Sequence, residues 1–193
     1  MNLFLKNNLW TLAMLLNAMV LLSSCGDDDA PLPPNEEEEI TTLRLEFTKS
    51  GTAVTQTFEW QDLDGDGGNA PSIDAITLDA NSTYEVKVLV LNENEPVDLA
   101  DESYNITLEI EEEDDEHQFF FTKSAGLNLT FAYDDQDGNG NPIGLENIFT
   151  TGAASTGTLT VTLKHQPGIK TGTSTINDGE TDIEATFGSV TIQ

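Results

Sequence analysis

The sequence predicts an all-β protein: a single antiparallel β-sandwich, immunoglobulin-like or related, with at most one short helix. Three observations carry this. Apolar and polar residues alternate with period two from residue 40 onward. The apolar runs are short and separated by clusters of Gly, Asn, Asp and Pro. Helical periodicity is almost absent, and two packed sheets are the stable way to bury the faces of many amphipathic strands.

The strands follow in order. Leu43, Leu45 and Phe47 alternate with Arg44 and Glu46. Val54, Phe58 and Trp60 share one parity after a Ser50-Gly51 turn. Residues 84–91 read as a strand apolar on one face and partly so on the other, and residues 117–122, which hold three consecutive Phe, read as too apolar for a sheet edge. Leu127, Leu129, Phe131 and Tyr133 form another strand, and Leu159, Val161 and Leu163 a further one. The end carries Ile183, Ala185 and Phe187, then Val190 and Ile192; the parity change at Gly188 predicts a β-bulge that keeps both sets inward. Residues 105–116 fit a helix capped by Asn105 with Ile106 and Ile110 on one face. They fit a strand through Ile106, Leu108 and Ile110 equally well.

The N-terminus has a different composition. Lys6 precedes an apolar run from Leu9 to Leu22, which is 14 residues long and interrupted by Thr11 and Asn17. A spanning helix needs roughly 20 apolar residues, and a signal-peptide core roughly 7–15. The run ends in Leu22-Ser-Ser-Cys25, the pattern of a lipoprotein signal, with small residues that open the backbone to the signal peptidase. The expected organisation is therefore a signal peptide over 1–24, a lipidated Cys25, an acidic and Pro-containing tether over 25–40, and a sandwich over 41–193. Cys25 is the only cysteine and has no disulfide partner. The Cys-Gly-Asp-Asp-Asp run resembles the export signals of Bacteroidota-type lipoproteins, and that resemblance implies the outer membrane and its cell-surface face, with the periplasmic face as the alternative.

Charge narrows the partners. Removing the leader leaves six Lys and Arg against 35 Asp and Glu, a formal charge of −29. Such a chain repels nucleic acid and anionic lipid surfaces and favours cations or basic partners. The expected membrane contact is the lipid anchor.

Two acidic loops carry a calcium-like pattern. Asp135, Asp137, Asn139, Gly140, Asn141 and Glu146 fit D-x-[DN]-x-[DN]-G-x5-E in full. Oxygens at loop positions one, three and five would converge, Asn141 would add its carbonyl, and Glu146 would close the grip. Strands flank this loop and Pro142 stands inside it, so it is no EF-hand pair, and an acidic turn without an ion fits as well. Asp62, Asp64 and Asp66 repeat the first half of the pattern without the closing glutamate. His117 follows six consecutive carboxylates, Glu111 to Glu116, and His165 shares the inward parity of Leu163. Each could simply cap a strand end through a hydrogen bond, or one or both could bind zinc, iron or copper.

No nucleophile motif is present, and carboxylates are too many for any acid/base pair to stand out. The expected function is a non-enzymatic binding module, lipid-anchored and surface-exposed, with calcium-stabilised loops. The alternative is a metal-capture accessory of a TonB-dependent outer-membrane transporter.

Several strings, among them Asp64-Gly-Asp66-Gly-Gly-Asn-Ala-Pro71, Glu116-His117-Gln-Phe-Phe-Phe121, Asn141-Pro-Ile-Gly144, Gly157 to Pro167 and Gly179 to Glu184, resemble a group of small uncharacterised Bacteroidota lipoproteins. Some of that group carry the label "type 1 periplasmic binding fold superfamily". The label implies two lobes of alternating strands and helices, which the length and periodicity of this chain do not support. The resemblance implies no active site.

Overall fold

Ten strands and one helix form among the described residues, which in this computed structural model are 39–65 and 67–193. The leader 1–24, Cys25, the tether to residue 38 and Asp66 lie outside the described residues. In chain order the elements are β1 (Thr42–Lys49), β2 (Thr55–Gln61), β3 (Ser72–Ile73), β4 (Ile76–Leu78), β5 (Thr83–Leu91), α1 (Thr107–Glu112), β6 (His117–Lys123), β7 (Leu129–Tyr133), β8 (Glu146–Thr151), β9 (Ser155–His165) and β10 (Glu180–Ile192). They build two packed sheets, ordered β3-β2-β1-β5-β8-β7 and β4-β10-β9-β6. This is the expected all-β sandwich with one short helix. It departs from the expectation in one pairing: β4 runs parallel to β10, because the chain crosses between sheets at residues 74–75 and lands beside the C-terminal strand. The folded unit also starts earlier than expected, since Ile40 packs against the core and Glu39 accepts a hydrogen bond from Asn94 Nδ2. No helix among the described residues is long and apolar enough to cross a membrane.

The alternating residues meet between the sheets. Leu43, Leu45 and Phe47 of β1 and Val86, Val88 and Val90 of β5 face Leu159, Val161 and Leu163 of β9 and Ile183, Ala185 and Phe187 of β10, all buried. Each such side chain contributes about 1.5–3 kcal/mol on burial. Phe149 of β8 ties the layers together. Its ring meets Phe47 at 5.5 Å and Phe121 of the opposite sheet at 5.2 Å, both edge to face. The expected bulge of β10 lies between Phe187 and Val190. It leaves both flanking apolar sets inward.

The ambiguous segment is a helix, but a short one. Ile106 and Ile110 enter the core. Asn105 does not cap the helix: its amide donates to the Leu99 carbonyl, and Ile106 is the N-cap with no side-chain bond. The helix stops at Glu112, where further carboxylates and no basic residue stand at the negative end of its dipole. Thr107 Oγ1 bonds the N–H of Val90 at 2.8 Å and its carbonyl at 3.2 Å, satisfying a stretch of β5 that β8 does not reach.

A second correction concerns β6. Its triple Phe marked it as interior, yet it is an edge strand. The end of β7 and the segment after it partly cover it: the Phe119 N–H donates to the Ile143 carbonyl at 2.7 Å, and the Tyr133 hydroxyl donates to the Phe119 carbonyl at 2.8 Å. These two bonds occupy the outward backbone groups of Phe119 in the middle of the edge.

Candidate metal centre

The register of β6 and β9 places His117 directly opposite His165. Both side chains point inward, by the same alternation that buries Phe119 and Leu163, and both are nearly sealed, at 3% and 5% exposure. The imidazole rings stack at 4.5 Å with 11° between planes. The turn after α1 closes over them. The His117 Nδ1–H donates to the Glu113 carbonyl at 3.2 Å. A carbonyl can only accept, so the neutral ring carries its proton on Nδ1 and keeps the Nε2 lone pair bare. Burial pushes the His117 pKa down from 6.5 to about 4, His165 and Lys170 push the same way, and the Glu113 hydrogen bond opposes them. The ring is therefore neutral at pH 7. His165 Nε2 lies 3.3 Å from Glu116 Oε2.

Glu113, His117 and His165 are the one group of three ligand-bearing side chains among the described residues whose donor atoms all lie within 4.8 Å of one another. Two nitrogens and a carboxylate oxygen suit zinc, iron(II) or copper(II). Ligands at roughly 2.0–2.1 Å from one tetrahedral ion are about 3.4 Å apart. Loading would draw the most widely spaced donors together by roughly an ångström or more and turn one ring out of the stack. The sequence expectation for His117 and His165 thus divides. Each makes the hydrogen bond of the plain alternative, and the two also stand together with a carboxylate.

The acidic loop Asp135–Glu146 is organised differently. The Asp135 carboxylate accepts three backbone N–H groups, from Gly144 and Leu145 at 2.7 Å and from Glu146 at 2.8 Å. Asp137 Oδ1 accepts the N–H groups of Asn139 at 2.9 Å and Asn141 at 2.8 Å. Its Oδ2 accepts from the Asn141 amide and, at 3.2 Å, from the Lys170 ammonium. Burial raises the Asp137 pKa, but these hydrogen bonds outweigh it and hold the carboxyl below its ordinary value. Gly140 takes the left-handed conformation, φ 84°, that the turn requires. Glu146 leaves the loop on β8 and pairs with Lys87 at 2.8 Å.

In the other loop, Asp62 Oδ1 accepts the Gly65 N–H at 3.1 Å. Asp64 Oδ2 accepts from the backbone and side chain of Asn69 at 3.0 and 2.6 Å. Those bonds hold the Asp64 pKa low. Asp66 lies outside the described residues, and no donor of either loop joins the histidine group.

Several contributors escaped the sequence reading. Glu113 sits four residues before His117, a spacing that signals one turn of chain, though the six acids there hide which one matters. Asp182 Oδ2 lies 3.9 Å from His117 Nε2. Lys170 is fully buried, and its ammonium bonds both the Asp114 carbonyl and Asp137, joining the turn over the histidines to the acidic loop. No protein-family model, curated protein or solved structure matches the chain.

Proposed function

We propose that this chain is a non-enzymatic binding module, tethered to the outer membrane through lipid on Cys25, that captures a transition-metal ion at the Glu113–His117–His165 pole. One observation carries the reading: two histidines 48 residues apart are opposed across β6 and β9, with a carboxylate within 4.8 Å of both. Supporting it, the His117 lone pair is available at neutral pH, and six carboxylates from Glu111 to Glu116 give the pole a negative field that concentrates cations. A buried site on paired strands suits holding an ion. A calcium-stabilised acidic loop is the weaker reading, because all four carboxylate oxygens of Asp135 and Asp137 already accept hydrogen bonds.

The test is titration calorimetry of the full chain with zinc, iron(II) and copper(II), repeated on His117→Ala and His165→Ala. One ion per chain is expected for the wild type, with a large loss of affinity in both variants. Equal uptake by all three proteins would reject the site.

A further inference from the structure

We propose that Glu116 is a positioning residue of this pole, and that the two histidines meet the ion through different nitrogens, His117 through Nε2 and His165 through Nδ1. This rests on the metal reading above and specifies how the chain prepares its two nitrogen ligands.

The turn from Glu113 to Glu116 is the first argument. The Glu113 carbonyl accepts the Glu116 N–H at 2.9 Å, which closes the turn, and it also accepts the His117 Nδ1–H at 3.2 Å. The Glu116 carbonyl accepts the Gln166 N–H at 2.6 Å, which fastens the turn to the residue after His165. Between them the Asp114 carbonyl accepts the Lys170 ammonium. One short turn, held at three carbonyls, therefore reaches both rings, His117 from its first residue and His165 from its last.

The second argument is the chemistry of the two acceptors. A carbonyl can only accept, so the neutral His117 ring carries its proton on Nδ1 and its lone pair on Nε2. Glu116 Oε2 lies 3.3 Å from His165 Nε2. An ionised carboxylate also can only accept, so the neutral His165 ring carries its proton on Nε2 and its lone pair on Nδ1. The rings are held in opposite tautomers, and each is left with one nitrogen for an ion.

The third argument is a division of work between neighbouring acids. The Glu113 carboxylate lies within 4.8 Å of donor atoms on both histidines. Glu116 stands outside that group, within hydrogen-bond reach of His165. Its side chain is 36% exposed against 6% for His165, so it meets the ring at the rim of the pole. A metal-ligating histidine characteristically donates its other N–H to a carboxylate, which fixes the ring and raises its basicity.

The experiment reads the imidazole nitrogen shifts of the full chain by NMR near pH 8, above the ordinary histidine pKa, with and without zinc. Calorimetry gives the zinc affinity, and the wild type is compared with Glu116→Gln and Glu116→Ala. The metal-free wild type is expected to carry protons on His117 Nδ1 and His165 Nε2, and zinc should shift the other nitrogen of each ring. The Gln carbonyl still accepts, so Glu116→Gln should keep the His165 tautomer and most of the affinity. Glu116→Ala should mix the His165 tautomers and bind zinc roughly 10- to 100-fold more weakly. No zinc binding by the wild type would remove the metal reading, and this inference with it. Zinc binding with Glu116→Ala unchanged in tautomer and affinity would leave the metal reading standing and overturn the role of Glu116. A wild-type His165 protonated on Nδ1, or zinc bound at its Nε2, would do the same. If Glu116→Ala fails to fold, those wild-type shifts decide.

Discussion

Replacing Asp135 by Asn isolates what holds the acidic loop on the sheet edge. The carboxylate accepts three backbone N–H groups at 2.7–2.8 Å. A hydrogen bond to a charged group contributes about 1.5–3 kcal/mol, and an unpaired buried donor costs a similar amount. An Asn side chain keeps one acceptor and turns an N–H2 group toward donors, so one or two of the three bonds are lost. The expected loss is about 2–4 kcal/mol, a large share of the roughly 5–15 kcal/mol that stabilises a domain. The damage should spread along the edge, because the Ile143 carbonyl on Phe119 and the Leu145 carbonyl on Val88 are held by the same loop. With a urea slope of about 1–3 kcal/mol/M, the unfolding midpoint should fall by about 1 M or more. Urea melts of both proteins, each with calcium and with a calcium chelator, are the assay. The reasoning fails if the variant unfolds within about 0.3 M of the wild type. It fails equally if chelation alone destabilises the wild type as much as the mutation does, for then calcium and not the N–H groups holds the loop.

Two other outcomes are expected. Lys170→Met should destabilise by about 3–5 kcal/mol in urea melts, because Asp137 stays buried without its counter-charge. Adding Asp137→Asn should restore part of that loss, and a double variant no better than Lys170→Met would refute the pairing. Acid should weaken the metal-free protein through His117. Its folded pKa of about 4 lies below the ordinary 6.5, so the unfolded chain binds the proton first. Stability therefore falls as pH drops from 6.5 to about 4, by on the order of 3 kcal/mol. Asp137, held below 3.8, adds its own loss only at lower pH. Urea midpoints at pH 7.5 and 4.5 should converge in His117→Gln relative to the wild type, and parallel falls would contradict the assignment.

The strands were legible wherever apolar side chains alternate with polar ones, as in β1, β5, β9 and β10, and the bulge near Gly188 was legible from the parity change alone. β8 was not, because two of its three buried positions are Asn147 and Thr151, whose side chains bond to loop carbonyls and erase the apolar signal. The edge position of β6 was hidden because its cover comes from a loop, and hydropathy counts residues without showing what lies over them. The acidic loop misled for a physical reason. Short carboxylates spaced two apart around a glycine bind calcium, and they also accept the N–H groups of their own turn. Parity alone pointed His165 inward, and strand pairing supplied its neighbour. Register is set by which strands meet, which no local pattern records. The approach of Asp182 to His117 was out of reach because the register of β10 on β9 shifts between Thr181 and Ile183, among polar residues where a change of parity leaves no trace.

Anomalous scattering at the zinc edge, measured on crystals of the full chain grown with one equivalent of zinc, tests the central claim most directly. The account predicts one strong peak among His117, His165 and Glu113, with one ring turned out of the stack. A peak in the Asp135–Glu146 loop instead, or none while the rings stay stacked, would contradict it.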